Sequence, residues 1–243
     1  HALHCWNDSL QIYSSLLGNS HERVADVQNN RGLALGKLNQ YQYAQQAFQQ
    51  ALNIHQQRLL RVQKIKLTHH DTEKQRLLRK IQQHSNSNNK NSLLNSKASA
   101  SSSEEAAIVC AIVSTLHNTS NMYREAGEPL EAIRVLSEGQ LLLETSIIRP
   151  LEQQTIMMDQ DNETDTSNII TTTTVTYQNY FQYYQLLARL YTAIGHIYYY
   201  MASDNSTASS DNDNDDDDDD EGMESESLQE SKSYYQNALH VYE

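Results

Sequence analysis

Three small groups of residues have the types that metal or acid–base chemistry needs. His1, His4 and Cys5 could face one another on a helix as soft metal ligands. They sit at the end of a periodic stretch, and no metal site is expected there. Asp211, Asp213 and Asp215 fit positions 1, 3 and 5 of a calcium-binding helix–loop–helix. The sharp turn at position 6 calls for Gly and meets Asp216, and the bidentate carboxylate at position 12 is replaced by Gly222. That run therefore reads as a diffuse polyanion with at most weak cation binding. His69 and His70 are expected in a helix break, in water. The chain has no Gly-x-Ser-x-Gly, no phosphate-cradling Gly-rich loop and no Cys pair at zinc spacing. No cofactor and no metal is expected, and the chain is not expected to be an enzyme. The sequons at Asn7, Asn118, Asn162 and Asn205 are discounted, because Asn118 falls in a packed periodic segment and nothing implies secretion.

What remains is a set of side-chain amides and cations at helical spacing, so the elements that would position them matter more. The organising stretch is Val24–Gln56. Val24, Val27, Arg31, Leu35 and Leu38 recur at three- and four-residue steps, and so do Tyr41, Ala44, Phe48, Ala51, Leu52 and Ile54. Asn39 and Gln40 lie between the halves, and Asn tolerates the left-handed conformation that ends a helix. Gly32 and Ala44 are small where two helices would cross closely, and Phe48 is large where a gap needs filling.

At Gly32, Leu35, Asn39, Ala44, Phe48 and Ala51 the chain resembles the tetratricopeptide repeat (TPR) family. The pattern recurs. An offset of 42 places Ala2, Trp6, Ser9, Leu10 and Ile12 on Ala44, Phe48, Ala51, Leu52 and Ile54. An offset of 88 places Asn118, Ser120, Tyr123, Gly127, Ala132, Leu136, Gly139 and Leu142 on Asn30, Gly32, Leu35, Asn39, Ala44, Phe48, Ala51 and Ile54. A further 75 places Tyr191, Gly195 and Tyr198 on Leu116, Ser120 and Tyr123, while Ser231, Tyr235, Ala238 and Val241 match Ala132, Leu136, Gly139 and Leu142 at 99. The excess of 99 over 75 is 24, the length of the polar stretch Ser203–Glu226. A helical hairpin split by an insertion at its turn accounts for that agreement. The 42-residue spacing, with its long connecting segment LGNSHERVADVQNNRG, resembles the kinesin-light-chain type of repeat.

The fold implied is all-α, a right-handed α-solenoid of antiparallel helix pairs interrupted by disordered insertions. The chain divides into 1–17, helix B of a truncated repeat; 21–67, a repeat whose helix B runs to Thr68; 84–103, a disordered insert; 104–145, a repeat; 146–176, an insert with β propensity at Ile169–Val175; and 177–243, a repeat split by the acidic insert 203–226. A further short helix is expected at Thr72–Gln83. Leu60, Val62, Ile65 and Leu67 extend a weak apolar stripe. The two cysteines, Cys5 and Cys110, lie in apolar helical segments and are expected as buried free thiols. Gly at 7 and Pro at 2 of 243 residues are too few for a protein of tight β turns.

In the family, inner-face side chains of helices A line a concave groove. The resemblance places there Asp26, Asn29, Asn30, Leu33, Gly36 and Lys37 from one repeat; Ser114, His117, Asn118, Asn121, Arg124 and Glu125 from the next; and Arg189, Thr192, Ala193, His196, Tyr199 and Tyr200 from the last. Peptide contact is expected of Asn29, Asn30, Leu33, Lys37, His117, Asn118, Asn121, Arg124, Arg189, Thr192, His196 and Tyr199. Amides donate and accept at once, so Asn29, Asn30, Asn118 and Asn121 could hold an extended backbone whatever its side chains. The family's clamp for a terminal carboxylate is departed from, since Leu33 replaces an Asn and only Arg189 fits.

The formal charge of −13 is concentrated. Twelve acids and no base lie between Asp204 and Glu226, and without them 19 acids face 18 bases. From Arg58 to Lys90 nine bases meet only Asp71 and Glu73. Both charged runs are expected to be mobile, with an attraction weakened by salt. The basic run lacks interleaved aromatics, so no nucleic acid is expected, and no apolar run long enough for a membrane is present. The function expected is a cytoplasmic interaction scaffold or adaptor that binds a partner peptide or helix, with a kinesin-light-chain-like cargo adaptor as the narrower form. The alternative is a regulatory or docking region of a larger enzyme. Further repeats or domains are expected outside the segment.

Overall fold

The computed structural model describes residues 1–83, 95–153, 166–208 and 226–241. Among them no strand occurs. The helices are α1 (Ala2–Leu17), α2 (Glu22–Lys37), α3 (Tyr41–Gln83), α4 (Asn95–Glu125), α5 (Pro129–Leu143), α6 (Thr166–Ala208) and α7 (Glu226–His240). Each helix packs on the next in sequence, and α2, α4 and α6 also touch in succession. This is an all-α solenoid of antiparallel pairs, with α2, α4 and α6 as helices A and α1, α3, α5 and α7 as helices B.

The turns follow from two residues in left-handed backbone. Asn39 has φ 58° and Gly127 has φ 81°. At the first, the Gln40 N–H donates to Leu35 O (3.0 Å) and the Asn39 N–H to Gly36 O (2.9 Å). At the second, Glu128 N–H donates to Tyr123 O (2.9 Å) and Gly127 N–H to Arg124 O (3.1 Å). Both are Schellman turns, which satisfy carbonyls that a helix end leaves open. Pro129 then opens α5 at its first turn, where a missing N–H is harmless. At the start of α2 the cap is His21, whose Nδ1 accepts from Arg23 N–H at 3.2 Å.

Three apolar clusters run along the solenoid. Leu35, Ala44, Ala47, Phe48 and Met122 join α2, α3 and α4. Leu52, Val62, Ile108, Ile112, Leu116 and Val135 join α3, α4 and α5. Val109, Val113, Leu136, Leu143, Ile147, Leu190 and Ile194, with their neighbours, join α4, α5 and α6. Tyr123 packs against all three. From Tyr184 onward the tyrosines of α6 pack with hydroxyls at the edge: Tyr184 and Tyr191 donate to Glu152 (3.0 Å) and Glu144 (2.9 Å).

Several boundaries differ from expectation, for one shared reason. No Gly or Pro occurs from Lys37 to Ala126, or from Leu151 to Ile194. Helices therefore extend until something stops them, and tertiary packing overrides weak propensity. α3 continues unbroken from Tyr41 to Gln83, through His69 and His70, so neither the stop at Thr68 nor a separate helix at Thr72–Gln83 exists. α4 starts at Asn95, inside the 84–103 insert, and α6 starts at Thr166, inside the 146–176 insert. Ile169–Val175 is helical. α6 also runs into the acidic insert as far as Ala208. The remainders of these inserts, 84–94, 154–165 and 209–225, lie outside the described residues.

The helix that Pro129 opens does not end near Thr145. A π turn, Glu144–Ile148, carries it on to residue 153, with Arg149 N–H bonded to Glu144 O five residues back. The wider turn lies directly before Pro150, whose ring would crowd the carbonyl four residues earlier in an α-helix. Ile147 and Ile148 are buried by it, so this part of the insert belongs to the core.

The stripe after Ile54 also departs. Val62 is buried, whereas Leu60, Ile65 and Leu67 are exposed. Nor is the basic run of α3 free at its start. Arg58 reaches Glu22 at 2.8 Å and Glu104 at 4.0 Å, and Lys66 pairs with Glu105.

Candidate partner-binding groove

Helices α2 and α4 meet along amides. Asn118 Nδ2 donates to Asn29 Oδ1 at 3.2 Å, and both residues are half-buried. Each amide keeps groups free beyond that bond, since an amide offers two donors and two lone pairs. Asn30 and Asn121 are half-buried beside them. At the C-terminal ends of the two helices, Lys37 Nζ lies 2.9 Å from Glu125 Oε1, and the Tyr41 hydroxyl lies 3.0 Å from Glu125 O. Lys37 is thus already paired. Gly36 is buried against Met122 and offers no surface, while Leu33 is exposed.

Between α4 and α6 the surface turns basic. His117 is half-buried, and Arg124 and Arg189 are exposed. Burial holds the His117 imidazole below its ordinary 6.5, and the guanidinium groups of Arg124 and Arg189 push it the same way. His117 is therefore neutral at pH 7, and one ring nitrogen remains an acceptor. Thr192 spends its hydroxyl on Ala188 O at 2.8 Å. His196 and Tyr199 depart from the groove set. His196 lies edge-on to Tyr235 of α7, with ring centroids 5.6 Å apart, and Tyr199 meets Tyr200. The structure brings Asn29 to Asn118 and sets His117 near Arg124 and Arg189, while His196 meets Tyr235 of α7.

A cleft of about 540 Å³ continues this surface between α4 and α6. Ser103, Ala107, Cys110, Gln182, Tyr183, Gln185, Leu186 and Arg189 line it. Apart from Arg189, the repeat pattern missed these residues. Counting positions from the family's helix length places the first groove residues at Ser114 and Arg189, whereas α4 and α6 begin many turns earlier. The signal available was the spacing itself: Ser103, Ala107, Cys110, Ser114, His117 and Asn121 step by three and four along one face. Cys110 is half-buried and burial pushes its thiol up to about 11, so it stays protonated. Cys5, expected buried, is exposed: α1 packs mainly on α2, and none of its residues is buried. His4, from the same early group, lies 2.9 Å from Asp8.

Residues 2–57, which span α1, α2 and the first part of α3, match the family described as tetratricopeptide repeat. The match covers Gly32, Leu35, Asn39, Ala44, Phe48 and Ala51 and does not single out the kinesin-light-chain type. No curated protein matches the chain. Among the described residues, no helix is long and apolar enough to cross a membrane.

Proposed function

We propose that this TPR-like solenoid is a protein-interaction module whose inner surface holds an extended segment of a partner. TPR repeats in general mediate protein–protein interaction, which supports the class. The observation that carries the site is the Asn29–Asn118 pair flanked by Asn30, Asn121 and the exposed Arg124 and Arg189, which have no ion pair among the described residues. Amides read a peptide backbone, and the two guanidiniums favour a segment with a carboxylate near His117. On this reading the chain is a binding module and not an enzyme, and it works in the cytoplasm. The 42-residue spacing supports the narrower form, a cargo adaptor of the kinesin-light-chain kind.

The test is binding of the full chain to an array of extended peptides, followed by titration of the best binders. Asn121→Ala and Arg124→Gln should each weaken binding about tenfold, the scale of one or two lost hydrogen bonds to a buried partner. Unchanged affinity in both variants would remove the groove assignment.

A further inference from the structure

Among the described residues, nothing covers the outer face of α3 beyond Arg58. Helix α2 ends its cover there, since Glu22 at its start is the residue that meets Arg58 at 2.8 Å. Further along, α3 packs on α4 through Val62 and through the contacts of Gln63 and Lys66 with Glu105. The opposite face is bare. Leu60, Ile65 and Leu67 are 65%, 62% and 67% exposed. Among them stand Arg61, Lys64, Lys74 and Arg76, all exposed and none with an ion pair among the described residues. The other two bases of this part of the helix, Arg58 and Lys66, are the ones already neutralised by Glu22, Glu104 and Glu105. Asp71 is the one described acid on the side of Leu60, Lys64, Leu67 and Lys74, from which Arg61, Ile65 and Arg76 turn away by about 100–160° at ~100° per residue.

We infer that this overhang of α3, from Leu60 to Arg76, is a second docking surface, for an acidic amphipathic helix of a partner protein. Charge decides the sign of the partner: Arg61, Lys64, Lys74 and Arg76 outnumber Asp71 and Glu73 in this stretch, and the net positive charge attracts carboxylates and steers their approach. Leu60 and Leu67 decide its form. At positions 60, 64, 67 and 71 a helix presents one side, so Leu60 and Leu67 stand one above the other with Lys64 between them. A partner helix with Leu at i and i+7 and Glu around them matches that side. A nucleic acid would use the cations but leave the leucines idle, and no aromatic is present for bases to stack on. A bilayer needs a continuous apolar face, and here Arg61 and Lys64 break it. The surface lies on a helix B, apart from the groove on α2, α4 and α6, and stands whether or not that groove binds peptide.

The experiment uses the full chain and a fluorescent synthetic helix with Leu at heptad spacing and Glu elsewhere. The same peptide with Lys in place of Glu, a single-stranded RNA and phosphatidylserine vesicles serve as comparisons. The Glu peptide should bind, the Lys peptide should not, and RNA and vesicles should bind more weakly. Leu60→Ser with Leu67→Ser, and separately Arg61→Gln with Lys64→Gln, should each weaken binding about tenfold. Binding should also fall as salt rises. All four positions are exposed, so helicity should be unchanged in these variants and circular dichroism checks this. Asn121→Ala should leave this binding as it is, which separates it from the groove. Equal binding by both variants, or RNA or vesicles binding as tightly as the Glu peptide, overturns the proposal.

Discussion

A Cβ added to Gly32 would lie 2.7 Å from Cε1 of Phe48. No relaxed pair of carbons approaches so closely, so the helix crossing of α2 and α3 depends on a hydrogen atom at that position. Gly32→Ala should destabilise the protein by ~1–3 kcal/mol through overpacking, in spite of alanine's better helix propensity. Phe48→Leu costs something alone but should recover part of the loss in the double variant. Urea unfolding of the four-member cycle measures the coupling.

The other buried helix glycines grade the same effect. At Gly139 the nearest foreign atom to an added Cβ is Leu116 Cδ1 at 3.5 Å, an ordinary contact. At Gly195 the neighbours are Tyr235 Cε1 at 3.3 Å and the Ser231 carbonyl at 3.4 Å. Gly139→Ala should therefore stabilise by about 0.5–1 kcal/mol, Gly195→Ala should be close to neutral, and Gly32→Ala should be the most damaging. Any other order in thermal unfolding contradicts the packing described.

Ile147 and Ile148 test the π turn. Both are buried against α4 and α6, although composition assigns them to an insert. Truncation of either to Ala should cost ~2–4 kcal/mol, as for other core isoleucines. Losses below about 0.5 kcal/mol, the scale of surface substitutions, would return the segment to the surface.

Acid should weaken the protein in a defined window. His55 is 3% exposed, and its Nδ1 has no hydrogen-bond partner. Burial lowers its pKa below 6.5, Arg58 adds to this, and Asp26 and Glu22 oppose it. His117 is lowered as well. With folded pKa values below the unfolded value, the unfolded chain binds more protons as pH falls through 6.5. The stability that the neutral rings contribute is complete above 6.5 and is lost as pH drops toward the folded values. His55→Leu should flatten the dependence of the unfolding midpoint between pH 7 and 5, and adding His117→Leu should flatten it further.

The two thiols should be told apart by alkylation. Cys5 is exposed, whereas Cys110 is half-buried with its thiol raised to about 11. Iodoacetamide at neutral pH should label Cys5 first and Cys110 slowly, as peptide mapping of timed samples would show.

How much of this was legible in sequence varies with the kind of signal. The repeat register was legible, because small residues at Gly32, Ser120 and Gly195 oppose Phe48, Leu136 and Tyr235 at fixed offsets. Both Schellman turns were legible from Asn39 and Gly127. Helix ends were not, since Ser-, Asn- and Thr-rich stretches look unstructured by composition while carrying no breaker. Family spacing put Asn29 and Asn118 on neighbouring helices, where they bond, yet the cleft along Ser103, Ala107 and Cys110 was hidden by the wrong helix starts. That Asn118 would bond Asn29, and that His196 would turn to Tyr235, depend on how two helices rotate about each other, which one-dimensional spacing does not encode.

Tyr123 touches all three apolar clusters, and its hydroxyl accepts from Gln45 Nε2 at 2.8 Å. A stack of repeats ordinarily frays from its ends, each pair melting against its neighbour. Here one ring acts as a rivet through the stack, so the middle of the solenoid should melt as one body. Helix α1, with no buried residue and with α2 as its main neighbour among the described residues, is the least anchored and should exchange its amide hydrogens first.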